Sequence, residues 1–246
     1  CSGVAVLYND AGVVIKAVLM RRNPDLVLVD TGIIANAPRR LFAAGLGDAL
    51  STWFEARACK NSGARTMARG NVSNTGLMMA RLCYDLLMEK GRDALAAVER
   101  HEVTPALEDV VEATIYLSGL GFENGGLAAA HAVNDGFAQA HGMYHGEKVA
   151  FGTLVQLVLE KAPQEELEQV LAFLRDTGLP LTLAQLGVKE IVPETLKKVA
   201  EAAVVPTQST KNLRADITVG GEPRDTQEVY DAILEADRIG RDYLAR

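Results

Sequence analysis

The chain has 246 residues, of which 48% are hydrophobic and 23% are charged. This balance is typical of a globular protein with a proper core and excludes the disordered and fibrous classes. The formal net charge is −7, from 25 basic and 32 acidic residues, and no basic cluster is present, so we expect no nucleic-acid partner. Cys1, Cys59 and Cys83 form neither a CxxC pair nor a disulfide framework, which favours a reducing, cytoplasmic location.

The sequence predicts neither a membrane span nor a secretion signal. The longest strongly apolar stretch, residues 149–159, is interrupted by a glycine and two polar residues and is too short to cross a hydrocarbon layer of ~30 Å. The chain opens with a strand-like pattern rather than with the basic and apolar regions of a signal peptide. We therefore expect no membrane partner.

The first part of the chain is rich in short apolar runs. Residues 4–8 (VAVLY), 13–20 and 26–30 (LVLVD) contain many β-branched residues and are bounded by turn-forming residues such as Asn23 and Pro24. These runs predict short, buried strands of a small α/β sheet.

Beyond Pro38 the hydrophobic pattern is helical. Thr104 followed by Pro105 indicates a helix start, and a second helix is predicted to open at Pro163 and to stop at Gly178. Further helices are predicted over residues 74–90, 193–203 and 225–244, with a polar loop over 205–223. The predicted fold class is therefore mostly α, or α+β: strands within residues 1–37 and a helical domain over 38–246.

Three of the four histidines, His131, His141 and His145, fall close together. His131 ends an alanine-rich helical turn, and His145 lies on a turn that leads into the next apolar helix. Neutral imidazole is the commonest metal ligand at cytoplasmic pH, so the cluster indicates a metal site. The alternative is that each is an ordinary core or surface histidine. We interpret His141 as a loop residue and His101, beside Glu102, as a surface residue.

Two imidazoles leave a metal site short of a ligand, and a carboxylate is the usual third. The best candidate is Asp48, in the segment AGLGDAL, where Gly45 and Gly47 allow close backbone approach and the other neighbours are apolar. A buried lone carboxylate is costly unless it is paired or metal-bound. The alternative is an N-cap aspartate for the helix that continues through Trp53. A phosphate-binding loop is a weaker interpretation, because the third glycine of the dinucleotide fingerprint is missing.

Three other charged residues near these segments are assigned supporting roles. Glu55 and Arg57, close to Trp53, are interpreted as members of structural ion pairs rather than as catalytic residues. Glu123 is predicted to support the turn that carries His131, as a partner of a ligand rather than a ligand.

At these residues the sequence resembles the glycerol dehydrogenases, a branch of the iron-containing (group III) alcohol dehydrogenases. The matching stretches are AGLGDALSTWFEARAC at 44–59, VTPALE at 103–108, LSGLGFENGGLAAAHAV at 117–133 and YHGEKVAFGTLVQLVL at 144–159. Their order and spacing agree as well, and the resemblance runs over nearly the whole chain.

The resemblance implies a ligand set and a metal. Residue by residue, the metal ligands of the family fall on Asp48, His131 and His145, which would also be the catalytic centre. The ion is usually zinc in the glycerol branch, so we expect Zn2+, with Fe2+ as the alternative.

The resemblance also implies NAD as a cofactor, with Ser2, Val4 and Tyr8 on the opening strand as its contacts. Residues 1–37 would then be the remnant of an incomplete α/β dinucleotide-binding domain, and residues 38–246 the helical, metal-binding catalytic domain. Family members are multimers, so we expect a homo-oligomer, with a small polyol as the other partner.

Several positions depart from the family pattern. The family's Gly-rich phosphate-binding turn, and an aspartate that helps to hold the glycerol hydroxyls, lie upstream of Cys1. Asn134 stands where many relatives carry a second histidine, the loop 137–144 is a few residues shorter, and Lys211-Asn212 matches a His-Asn pair only partly. These changes leave the substrate preference and the activity of this chain alone open.

The activity that the resemblance implies is oxidation of glycerol, or of a related small polyol, to dihydroxyacetone. The metal makes the alcohol more acidic, and a hydride passes to NAD. Two alternatives stay open. Two histidines and a carboxylate also suit non-haem iron oxygenases, which usually have β-barrel folds. The other alternative is a truncated, inactive helical module that binds only a metal or a protein partner.

Overall fold

The computed structural model describes residues 1–8, 14–66, 69–137, 142–204, 218–219, 222–223 and 225–246. Most of these residues are helical, which confirms the prediction of a mostly helical fold. The helices are α1 (Thr31–Ala35), α2 (Arg39–Ser62), α3 (Asn74–Glu99), α4 (Pro105–Glu112), a π-helical turn (Ala113–Leu117), α5 (Ser118–Gly125), α6 (Ala129–Gly136), α7 (His145–Leu159), α8 (Gln164–Thr177), α9 (Pro193–Val204) and α10 (Thr226–Leu244). The strands are β1 (Val4–Tyr8), β2 (Val14–Leu19), β3 (Thr218–Val219) and β4 (Glu222–Pro223).

The first two predicted strands form an antiparallel hairpin, β1–β2, in which Val4 pairs with Leu19. The prediction that these strands are buried was wrong. Leu7 is 50% exposed, and Val6 and Leu19 are exposed as well. The two strands satisfy each other's backbone groups but leave apolar side chains facing solvent, since alternate residues of a strand point to opposite faces.

The third predicted strand, residues 26–30, does not form. Leu28 is 88% exposed, and Asp30 instead caps α1 by accepting hydrogen bonds from the backbone amides of Gly32 and Ile33. A carboxylate in this position is a strong N-cap, whereas an apolar run needs neighbouring strands to become part of a sheet. The apolar composition of residues 26–30 therefore favoured a strand, but without a partner strand the segment stays irregular and ends in the N-cap of α1.

The predicted helix ends are largely confirmed. The hydroxyl of Thr104 accepts a hydrogen bond from the amide of Leu107, and Gly178, with φ of 78°, ends α8 in the left-handed conformation. Helix α3 continues past the predicted end at residue 90. A Cβ at Gly91 would lie 2.9 Å from the ring of Phe173, so this glycine serves a close helix contact rather than a helix end.

Helix α2 lies at the centre of the fold, and α3, α5 and α7 pack against it. Its residues Leu50 and Phe54 are fully buried. The contact with α7 is very close, because a Cβ at Gly146 would lie 1.8 Å from the carbonyl oxygen of Ala44, and one at Gly47 would lie 2.6 Å from the carbonyl oxygen of Gly146. The N-terminus of α7 is thereby held against the middle of α2.

Helical structure starts before the predicted boundary at residue 38. Helix α1 begins at Thr31, whose hydroxyl donates a hydrogen bond of 2.7 Å to Glu108 of α4. The division into residues 1–37 and 38–246 stays a prediction. Among the helices of the described residues, none combines the length and the apolar character that a membrane span requires.

Candidate metal site

Three helices bring Asp48, His131 and His145 together. Asp48 lies in the middle of α2, His131 lies in the first turn of α6, and His145 is the first residue of α7. The alternative of Asp48 as an N-cap is therefore wrong, because α2 begins at Arg39, well before it. The close approach of α7 to α2 is what brings His145 to Asp48.

The spacing of the three side chains fits one small ion. Nε2 of His131 lies 3.3 Å from Oδ1 of Asp48, and Nε2 of His145 lies 3.6 Å from the same oxygen. One potential ligand atom of each residue lies within 4.8 Å of the other two. Two ligands that are ~2.0–2.1 Å from a tetrahedral zinc ion lie about 3.3 Å apart. The distances around the Asp48 oxygen are close to that value.

The site is open on the side of Asp48. Its side chain is 45% exposed, against 20% for His131 and 34% for His145. Asp48 is not a lone carboxylate, since both imidazoles partner it, and it is less buried than its apolar neighbours in the sequence suggested. The side chain of Asp48 is therefore the most accessible of the three.

The three side chains shift one another's proton affinities. For Asp48, desolvation by the surrounding helices raises the pKa, but the hydrogen bond from His131 and the charges of both imidazoles outweigh it and lower the pKa. For His131, desolvation lowers the pKa, whereas Glu55 and Asp48 together raise it well above its usual value. For His145, desolvation dominates and lowers the pKa despite Asp48. The carboxylates of Asp48 and Glu55 thus favour positive charge at this centre. A divalent cation would supply that charge in place of a proton bound to the imidazoles, which would be released.

Glu55 is the residue whose place in the site the sequence interpretation missed. It is fully buried in α2, two helical turns after Asp48 and therefore on the same face. Its carboxylate accepts hydrogen bonds from the backbone amides of Ala128 and His131, and from Nδ1 of the His131 ring at 2.7 Å. Ser51 donates a further hydrogen bond to it. Glu55 was interpreted as a structural ion-pair member, and its ion-pair partner is His131 of the candidate site, while the start of α6 supplies its other hydrogen bonds.

The other two supporting assignments have opposite outcomes. Arg57 is an ion-pair member as predicted: it contacts Glu160 at 2.9 Å and Glu166 at 2.6 Å. Glu123 does not support His131. Its carboxylate accepts hydrogen bonds from the backbone amide of Gly3 and from the side chain of Asn23, so it anchors the β1–β2 hairpin.

Only some of the remaining histidines and of the positions that depart from the family pattern lie within the described residues. His101 is exposed, as predicted, and its ring nitrogen lies 3.3 Å from the carbonyl oxygen of Ala35. His141 and the pair Lys211-Asn212 lie outside the described residues. Asn134, one turn after His131, is buried, and its Oδ1 has no hydrogen-bond partner in the described part of the chain.

The predicted NAD contacts lie at the hairpin rather than at the metal trio. Ser2 and Val4 are partly exposed, and the backbone between them is anchored through Gly3. Tyr8 is the last residue of β1, and its side chain lies outside the described part of the structure. Their contact with NAD stays a prediction.

Known proteins share both the sequence and the arrangement of helices. The chain is 54% identical to a glycerol dehydrogenase from Escherichia coli O6:H1, with 99% of this chain and 65% of the relative covered. The crystal structure of a probable glycerol dehydrogenase from Sinorhizobium meliloti 1021 matches with a TM-score of 0.89 at 42% identity, covering 98% of this chain and 67% of that one. An iron-containing alcohol dehydrogenase from Thermococcus thioreducens matches with a TM-score of 0.66 at 17% identity, covering 96% of this chain and 61% of that one. No protein-family profile matches the chain.

The fold is therefore the helical domain found in structures of iron-containing alcohol dehydrogenases, a class of oxidoreductases. Within that class, the chain belongs to the glycerol dehydrogenase family. It spans 65% of the length of the Escherichia coli relative.

Proposed function

We propose that the protein oxidises glycerol, or a related small polyol, with a divalent metal ion and NAD, giving dihydroxyacetone from glycerol. The observation that carries this proposal is the meeting of Asp48, His131 and His145 at distances that fit a single ion. Relatives named glycerol dehydrogenase support the choice of substrate. Because the chain spans 65% of the first of them, the activity is proposed for the whole protein.

Asp48, His131 and His145 would hold the ion. One carboxylate and two imidazoles suit Zn2+ and also Fe2+. Three protein ligands are the usual number in a catalytic zinc site, where they leave room for a substrate. When bound, such an ion acts as a Lewis acid that makes a contacting hydroxyl group more acidic.

The chain's own residues prepare the site for this chemistry. Asp48 contributes negative charge on the accessible side, where a polyol can approach. Glu55 accepts a hydrogen bond from Nδ1 of His131, so Nε2, on the side of Asp48, is the ring nitrogen that would bind the ion after releasing its proton.

The hydride acceptor would be NAD, in contact with Ser2, Val4 and Tyr8. The hairpin that carries these residues is tied to the helical body, because Gly3 donates a hydrogen bond to Glu123 of α5. This link keeps the opening strand at a constant place relative to the helices. The protein's part in the hydride transfer is to orient nicotinamide and polyol, since the redox chemistry belongs to the cofactor.

The protein is proposed to work as a homo-oligomer in the cytoplasm, with residues 1–37 and 38–246 as separate domains. Exposed apolar side chains such as Leu7 and Leu28 favour association with further protein surface. The three cysteines, all in described residues, form no disulfide, which agrees with a reducing compartment.

The decisive test measures metal content by plasma mass spectrometry on protein purified without added metal, together with NADH formation from glycerol. We expect about one zinc or iron ion per chain, and loss of both the ion and the turnover in Asp48→Asn. Asp85→Asn, an exposed aspartate paired with Arg81, is the matched control and should keep both. A chain that takes up no zinc, or an Asp48→Asn variant with full metal content, would overturn the proposal and favour the inactive helical module.

A further inference from the structure

The contact between α7 and α2 has an ordered pattern. Arg40, Ala44 and Asp48 are each one turn apart and so form one stripe along α2. The first three residues of α7 lie against this stripe in reverse order. Glu147 pairs with Arg40, Gly146 contacts Ala44, and His145 reaches Asp48. The ligand pair is thus one end of a row of contacts whose other end is an ion pair.

The ion pair is bidentate and half-buried. Nε and Nη2 of Arg40 donate to the two carboxylate oxygens of Glu147, at 2.6 and 2.8 Å. The side chain of Glu147 is only 6% exposed, although that of Arg40 is 55% exposed. A nearly buried carboxylate needs this partner, because an unpaired charge in that position is costly.

The same guanidinium also holds the residues that lead into α7. It donates a hydrogen bond of 2.8 Å to the carbonyl oxygen of Gly142 and lies 3.3 Å from the sulfur of Met143. It stacks over the ring of Tyr144, at 5.2 Å from the ring centroid. Arg40 therefore contacts each of the three residues that precede His145.

Glu147 has a second role at the helix start. It accepts a hydrogen bond of 2.7 Å from the backbone amide of Tyr144, which closes the first turn of α7 as a capping box. Because His145 lies directly after the N-cap residue, its ring moves with this turn. A shift of the cap would change the distance between His145 and Asp48.

We propose that Arg40 is a positioning residue for the metal site. By holding Glu147 and the residues before α7 against α2, it sets His145 at the distance from Asp48 that a shared ion requires. This inference rests on the proposed function, since it assumes that His145 and Asp48 bind a metal ion together. Arg40 itself lies outside the proposed ligand set.

The test uses the full chain, stripped of metal by a chelator and titrated with Co2+, whose visible absorption bands report ligand geometry. Arg40→Ala should weaken Co2+ binding about 10–100-fold, the range for residues that orient metal ligands, and should change the absorption bands. Glu147→Gln keeps a cap acceptor but loses the charge, and should behave in the same way. Because the two residues act as one pair, the double variant should be no weaker than either single variant.

Arg39→Ala is the matched control. Arg39 is the neighbouring residue, and it pairs with Glu99 and the carbonyl oxygen of Thr177, away from α7. It should leave Co2+ affinity and absorption unchanged. Wild-type affinity and spectrum in Arg40→Ala or in Glu147→Gln, or an equal loss in Arg39→Ala, would overturn the inference while the proposed function stands. Failure of the unaltered chain to bind Co2+ would overturn the proposed function and this inference with it.

Discussion

Nδ1 of His131 donates a hydrogen bond of 2.7 Å to Glu55, and Glu55 is anchored in the same helix as Asp48. A carboxylate offers only acceptors, so Nδ1 carries a proton, and Nε2, which lies 3.3 Å from Asp48, is the ring atom left to bind an ion once its own proton is released. One helix therefore supplies both a candidate ligand and the group that orients a second one. The backbone amides of Ala128 and His131 bind the same carboxylate, which couples the start of α6 to this orientation.

Glu55→Gln should weaken metal binding. An amide can still accept from the two backbone amides, but its NH2 group would then face the Nδ1 proton of His131. The ring would move its proton to Nε2 to avoid two opposed donors, and Nε2 could no longer act as a ligand. We expect metal affinity to fall about 10–100-fold, measured by competition with a chromogenic chelator.

Glu123→Gln is the control for this substitution. It removes the same charge from a carboxylate that binds Gly3 and Asn23 of the hairpin segment instead of His131. Metal affinity should be unchanged in this variant. Equal metal affinity in Glu55→Gln and the unaltered chain would contradict the assignment of Glu55 as the orienting group.

Arg57→Ala should destabilise the fold without affecting the site. Its guanidinium pairs with Glu160 and Glu166 and lies over the rings of Trp53 and Phe54. The arginine side chain is only 25% exposed, so its loss leaves two largely buried carboxylates without their ion-pair partner. We expect a loss of ~1–3 kcal/mol in the free energy of unfolding, measured in urea.

The matched variant is Arg81→Ala. Arg81 also lies over Trp53, but its ion pair with Asp85 is exposed on both sides and one turn apart on α3. Such pairs contribute only ~0.3–0.5 kcal/mol, so the free energy of unfolding should hardly change. If both variants lose the same free energy of unfolding, the partly buried ion pairs of Arg57 contribute no more to stability than the exposed pair of Arg81.

Cys83 should make stability fall with pH in the alkaline range. Burial raises the pKa of its thiol from 9.0 to about 12. Above the lower value the unfolded chain loses this proton while the native chain keeps it, so the unfolded state is favoured as pH rises. Its contribution is therefore complete below pH 9.0 and is lost between that value and about 12.

The measurement compares the free energy of unfolding of the unaltered chain and Cys83→Ala at several pH values above 9.0. The unaltered chain should lose up to about 1.4 kcal/mol more per pH unit than the variant. The small cavity left by the substitution affects all pH values alike and does not change the slope. Parallel slopes would show that the Cys83 thiol ionises in the native chain as it does in the unfolded one.

Much of the helical fold was predictable because helix signals are local. Caps such as Thr104 and Asp225 lie within a few residues of the amides that they bind. Burial of the hairpin was not predictable in this way, because it depends on which other segments cover its faces. The run at residues 26–30 shows the same limit, since a strand requires a partner strand that its own sequence does not specify.

The candidate site was predictable only in its candidate ligands. Asp48, His131 and His145 carry the chemistry that metals select, and the family resemblance assigned them before the helices were placed. Glu55 was missed because a glutamate in a helix is most often paired at the surface. Its one signal was its spacing, two turns after Asp48 among apolar neighbours, which places both residues on one helix face.

Gly146→Ala should separate the two helices that carry Asp48 and His145. The added Cβ would lie 1.8 Å from the carbonyl oxygen of Ala44. Because the clash is between backbone segments of two packed helices, relieving it requires the helices to shift apart. We expect a loss of at least ~1–3 kcal/mol in the free energy of unfolding, together with loss of metal binding.

Gly45→Ala is the control on the opposing helix. Nothing lies within 4 Å of its Cβ position, and replacing a helical glycine there should stabilise the fold by ~0.5–1 kcal/mol. Urea unfolding of both variants, with and without added zinc, makes the comparison. Zinc should raise the stability of Gly45→Ala and leave that of Gly146→Ala unchanged, because a ligand stabilises only a native state that can bind it. Equal stabilisation by zinc in both variants would mean that the close helix contact is not what sets the distance between Asp48 and His145.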